Sequence, residues 1–327
     1  MRRIAIVIGL VLVGLTSAAA VAAAQGLGRF ERTLTAADPV ALSIASGSGS
    51  VVVQPGAAHT VRIVGIIRAA SPWRADEDAL RRAVRSVEAN PPIVHEGSCV
   101  DLGRIVDEDV ARRVAISYEV VVPRNARVTV TTGSGSQKIG ALAGPASVSS
   151  GSGAVEVGAI GGDVDVSTGS GSIKVEAGRG RMAIETGSGT VNVGAVDGDL
   201  HIHTDSGGIY VERVTGEVTD LRSGSGSIAV RHLTGGLSTE TGSGSIAVSG
   251  VPTRDWTLES GSGQITLRIP AGTGFRIQAH SNSGRIETDH DVQARTTGRR
   301  DLAGTVGPGG PLVTARTASS RIVIRKD

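Results

Sequence analysis

Two histidines one residue apart, His201 and His203, are followed by Asp205, and this is the spacing in the chain that best suits metal chemistry. In a β-strand alternate side chains share a face, so both imidazoles would point the same way and could hold a zinc-like ion with the carboxylate. They flank Ile202, which fits an inward position, so the pair faces outward. We carry them as candidate metal ligands beside the plainer reading as solvated surface histidines. His59, His95, His232, His280 and His290 form no spaced cluster. The densest acidic group is Asp101, Asp107, Glu108 and Asp109, with Arg112 and Arg113 just after it. That order suits surface ion pairs better than a catalytic carboxylate pair. None of the Gly-Ser-Gly-Ser runs is followed by the lysine a phosphate loop needs; the next residue is Ile or Val in all but the copy before Gln137. Their serines are out of register for a Gly-x-Ser-x-Gly nucleophile elbow, and the nine-residue Asp-bearing repeat of calcium-binding β-rolls is absent. The residues therefore predict no catalytic site and no cofactor. A polysaccharide-active enzyme on a β-helix is the best enzymatic rival. It would need grouped charges and aromatic sugar platforms, and aromatics are only 2% of this chain.

What positions these residues is a repeat. The second glycines of successive turns are Gly135, Gly153, Gly171, Gly189, Gly207, Gly226, Gly244, Gly263 and Gly284, spaced by 18 or 19 residues until a last step of 21. An isolated earlier copy ends at Gly49, and a degenerate one is Ala318-Ser319-Ser320. Asp205 and Asn282 replace the first glycine in two copies, which predicts a left-handed turn conformation that these residues tolerate best after glycine. Around each turn the pattern has period two. Ile173 and Val175, or Ile246 and Val248, follow it, and Val164 and Val166, or Leu200 and Ile202, precede it, with polar residues between. One coil of 18 residues cannot bury such a stripe alone. Stacking coils about 4.8 Å apart buries it and pairs the backbone. The expected fold is all-β, a parallel β-helix or β-solenoid of about 18-residue coils with one short helical insert. Two hydroxyl rows run along the turns: a serine row (Ser134, Ser152, Ser170 and so on), and a Thr/Ser row two residues earlier (Thr132, Ser150, Thr168 and so on). Both can bond along the stack and to the bent backbone, so the turn glycines and serines read as structural.

The chain opens with Arg2 and Arg3, an apolar run from Ile4 to Leu15, and Ala22-Ala23-Ala24, which reads as an export signal cleaved after Ala24. Removing it takes two of 33 basic residues and no acid, leaving 31 of each sign. No charge excess remains to argue for nucleic acid or a membrane surface. Membrane contact is expected only through the signal segment, if uncleaved. Cys99 is the single cysteine, so no internal disulfide is possible, and it reads as a buried, inert thiol. Pro72 to Asn90 reads as one amphipathic helix with Leu80, Val84 and Val87 on one face, ended by Pro91-Pro92. Gly298 to Pro311 reads as a Gly-rich loop, and Arg321 to Ile324 as a final strand that closes the chain. The organisation is then a signal at 1–24, N-terminal strands and a first coil at 25–70, an insert at 71–114 and the repeat domain at 115–327.

Ile116-Ser117-Tyr118-Glu119-Val120-Val121-Val122-Pro123 leads into Val128 to Gly135, and Thr-Gly-Ser-Gly-Ser-Ile-x-Val units recur at Thr168 to Val175 and Thr241 to Val248. On these residues most of the chain after the signal resembles the bacterial adhesin-like family of β-strand repeat proteins known as DUF4097. The resemblance implies an envelope or surface protein with a solenoid domain and no defined active site. The expectation is an exported, non-enzymatic adhesin-like protein, in the periplasm, on the outer surface or secreted. It would bind an unknown protein or surface ligand, with a periplasmic scaffold or envelope-stress component as the alternative.

Overall fold

The computed structural model of the protein describes residues 26–71, 76–103, 105 and 107–327. The expected signal at 1–24 lies outside the described residues. Strands before each turn pair in parallel with those of the next coil: Val128 with Ala146, Val164 with Met182, Met182 with Leu200. Strands after the turn do the same, as Ile173 with Val191 and Ile228 with Ile246. The 18-residue period puts like residues over like, so the apolar positions become two inward columns on each ladder. Of the inward residues named above, all are buried. β-Branched side chains pack well on such pleated columns.

A third inward column was not legible in the alternation. It runs through Ile160, Gly178, Val196, Val214 and Leu233. Gly178 leaves a gap there, which Met182 fills: a Cβ on Gly178 would lie 2.5 Å from Met182 Cε. Gln137 interrupts the first post-turn column, between Val51 and Val155, yet is 1% exposed. Its Nε2 donates to Thr132 Oγ1 at 2.7 Å and to the Ser149 carbonyl at 2.6 Å. Trp256 is wholly buried and donates from Nε1 to the Gly235 carbonyl at 2.9 Å.

Both ends depart from simple stacking. At the N-terminal end Gly28–Thr35 runs antiparallel to Thr60–Ala69, which runs antiparallel to Val114–Pro123, and the last lies parallel on Val51–Gly56. The 71–114 insert holds the expected helix, α1 (Glu77–Ala89), capped by Asp76 and burying Ala83, Val84 and Val87. It packs on Gly28–Thr35, where Glu88 Oε1 accepts from the Arg29 N–H at 3.0 Å. A second helix, α2 (Glu108–Ala111), was missed. The acidic run is its N-terminus: Asp107 caps it, and Glu108 pairs with Arg112 at 2.7 Å. Cys99 is exposed, against expectation. It begins a strand, Cys99–Leu102, whose inward positions are taken by Val100 and Leu102.

The C-terminal end corrects the expected order. Leu312–Thr317 lies between Trp256–Ser260 and Arg276–Ser281, and Ile322–Lys326 lies between Ile265–Ile269 and Ile286–Thr288. The final segment is therefore a coil inserted between two coils that are neighbours in sequence. The 21-residue step from Gly263 to Gly284 is the trace of that insertion. Two or three extra residues at about 3.3 Å each supply the reach past an added rung. Within the expected loop at 298–311, Asp301–Val306 is a strand, antiparallel to Phe275–Ser281 and to Val292–Thr297.

Candidate functional site

The turns form the most regular polar feature. Thr186 Oγ1 accepts from the Gly189 N–H at 3.1 Å and donates to the Gly171 carbonyl one coil below at 3.4 Å. Ser223, Thr241 and Ser260 repeat both bonds. This Thr/Ser row is buried, whereas the serine row (Ser134, Ser152, Ser170, Ser188) faces solvent. The left-handed φ expected at the first glycine of each turn is absent from Gly133, Gly151, Gly169, Gly187, Gly224, Gly242 and Gly261 and from Asp205 and Asn282, and the second glycines Gly135, Gly153, Gly171, Gly189, Gly207, Gly226, Gly244, Gly263 and Gly284 do not have it either. Glycine is needed for another reason. A Cβ on Gly171 would overlap the carbonyl oxygen of Gly153, and Gly189 stands in the same way over Gly171. The turn requirement is close stacking, not backbone handedness.

His201 and His203 lie on the outer face of the pre-turn ladder on either side of buried Ile202, as their alternation implies. His203 Nε2 is 3.4 Å from Asp205 Oδ1, and both side chains are mostly exposed. Among the described residues no three His, Cys, Asp or Glu side chains come together in a way that could hold a metal.

The outer face of the post-turn ladder carries the feature that sequence reasoning missed. In register along it stand Lys174, Asn192, Tyr210, Ala229, Ala247 and Thr266. A shallow depression of about 420 Å³ is lined by Lys174, Glu176, Gly194, Tyr210, Glu212 and Arg231. A second continues from Ala229 and Arg231 to Ala247, Thr266 and Arg268. Gly194, Ala229 and Ala247 make the floor low. Tyr210 is 46% exposed, and its ring lies over Gly208, where a Cβ would come within 2.9 Å of Cε2. The other coils carry a residue with a side chain at this place, such as Ala154, Ser172, Thr190 and Gln264, so the glycine next to the Tyr210 strand was the available signal. Glu212 is tied to Arg231 at 3.4 Å. The groove can hold an extended ligand along the stack through one aromatic face and a mixed set of charges.

His280, at the C-terminal end, has both ring nitrogens engaged: Nδ1 with Asp301 Oδ1 at 2.6 Å and Nε2 with Asn282 Oδ1 at 2.9 Å. The bond to Asp301, then that to Asn282, raises its pKa above the usual imidazole value, because only the protonated ring donates on both sides.

Comparison with known proteins follows this architecture. No curated protein matches the chain. A solved "putative cell adhesion protein" from Clostridium sporogenes ATCC 15579 aligns at 9% identity over 91% of this chain and 100% of its own, with a TM-score of 0.19. A "putative lipid binding protein" from Parabacteroides distasonis ATCC 8503 aligns at 13% identity over 91% and 98%, with a TM-score of 0.32. Neither score is high enough to bear on fold or function. The Toastrack DUF4097 family model matches residues 117–325, the whole regular stack and its inserted last coil, and the chain belongs to that family.

Proposed function

We propose that the protein is an exported, non-enzymatic, adhesin-like binding module of the cell envelope, which holds an extended surface ligand or protein segment along the outside of its post-turn ladder. The observation that carries this reading is the pair of contiguous depressions from Lys174 to Arg268 with Tyr210 at one side. The floor is made of side chains too small to do chemistry, and of the acids that line it Glu212 is engaged by Arg231. Such a surface suits binding spread over several coils rather than a focused reaction. Export rests on the basic-apolar-small order of residues 1–24.

The test is binding of the purified protein to isolated envelope fractions. A Tyr210→Ala/Arg231→Glu variant should lose binding, while Glu185→Gln, on the outer row of the other ladder, should keep it. Equal binding by all three chains would remove the groove from the account.

A further inference from the structure

The inserted C-terminal coil is joined to its surroundings in a way that does not require it to come from the same chain. Residues 312–326 pair in parallel on both sides, with Trp256–Ser260 and Ile265–Ile269 on one and with Arg276–Ser281 and Ile286–Thr288 on the other. The segment follows every other described strand and is joined to them through one connector, Gly307 to Pro311.

The slot and the segment are also complementary in charge. It presents acidic groups to a basic segment: Glu259 to Arg316 at 3.2 Å, Glu287 to Arg325 at 3.5 Å, and Asp291 to Lys326 at 3.0 Å. Asp255 accepts from the Leu312 N–H at 2.7 Å and Asp289 from the Lys326 N–H at 2.6 Å. Gln264 Oε1 accepts from Arg321 Nε at 2.8 Å. The segment's degenerate turn, Ala318-Ser319-Ser320, fits between Gly263 and Gly284, with Ser320 where every other coil of the regular stack has glycine.

The connector is short. Gly307-Pro308-Gly309-Gly310-Pro311 passes over the start of Phe275–Ser281, with positive φ at Gly307, Gly309 and Gly310. Short, constrained hinges next to a removable element favour exchange between copies, since every contact is reproduced between chains.

We propose that residues 312–327 are an exchangeable strand, and that the partner of this end of the molecule is a second copy of the same chain, each copy placing its last coil in the slot of the other. This does not depend on the binding groove described above.

The test mixes two full-length chains, both Cys99→Ser, one carrying Arg268→Cys and the other Arg325→Cys. These positions are register partners across the slot and both face outward. One rung of separation, about 4.8 Å, lies within the Cα range of a disulfide. A single chain with both substitutions is the control for cross-linking within one molecule. The chains are co-expressed, oxidised and denatured without reductant. Exchange gives a mixed disulfide at twice the chain mass, in a fraction that rises with protein concentration. A control chain that cross-links internally beside a mixture that stays at single-chain mass overturns the proposal. So does a dimer seen by light scattering that carries no mixed disulfide, because it then joins through another surface. Should the control pair not close, light scattering of Glu259→Arg and Arg316→Glu chains decides. Each alone repels its own segment, and a mixture must dimerise if exchange occurs; a mixture that remains monomeric rejects it.

Discussion

Gly171 stands directly over the carbonyl oxygen of Gly153, and no Cβ fits between them. The same contact recurs up the stack at Gly189, Gly207, Gly226, Gly244 and Gly263, while the inserted last coil carries Ser320 at this place. Gly171→Ala should force two coils apart and cost about 2 kcal/mol, within the range of overpacked interiors. Gly169→Ala should cost less, because its Cβ would stand farther from the carbonyl oxygen below, and two coils carry Asp205 and Asn282 at the equivalent position. Thermal melting of the two variants measures the difference, and equal melting temperatures would contradict the stacking account of the turn.

The hydroxyls of the buried row hold the turn from inside. Thr186→Ala leaves the Gly189 N–H and the Gly171 carbonyl without that partner and should cost about 1–2 kcal/mol. Thr186→Ser should recover most of it. Ser170→Ala, in the exposed row, should change stability little. Denaturant unfolding of the three variants tests the assignment.

Thr219 and Thr239 occupy inward positions of the pre-turn ladder, where their neighbours in register are leucines, and neither hydroxyl has a partner. A buried unbonded hydroxyl costs more than the methyl that replaces it. Thr239→Val should therefore raise stability by about 1 kcal/mol, read as a higher melting temperature.

His280 joins Phe275–Ser281 to Asp301–Val306 and predicts a pH effect. Its folded pKa is raised above 6.5, so its contribution is fully present below that value and is lost as pH rises through the folded pKa. Amide protection in Asp301–Val306, taken relative to the intrinsic exchange rate at each pH, should fall across that rise in the unaltered protein. In Asp301→Asn that pH dependence should largely vanish.

Much of the fold was legible in the residues because the repeat writes the same local rule many times. Val164, Val166, Ile173 and Val175 were placed inward by alternation alone, and all are buried. What escaped was set by contacts distant in sequence. The φ values at the turns follow from coil-on-coil approach, which a single turn read in isolation does not contain. The strand at Asp301–Val306 and the inserted last coil depend on which neighbour each segment finds, and only the 21-residue step hinted at it. Cys99 was misread from its residue type, while its position beside Val100 decides its exposure. The groove escaped because Tyr210, Ala229 and Ala247 lie 18 or 19 residues apart and meet only when the coils stack.

The central claim, an adhesin-like module working outside the cell, is tested most directly by protease treatment of intact cells carrying a C-terminally tagged copy beside a periplasmic control protein. The account predicts that the tag is cleaved while the control survives. A tag protected until the outer envelope is opened would contradict a surface role and assign the protein to a periplasmic partner.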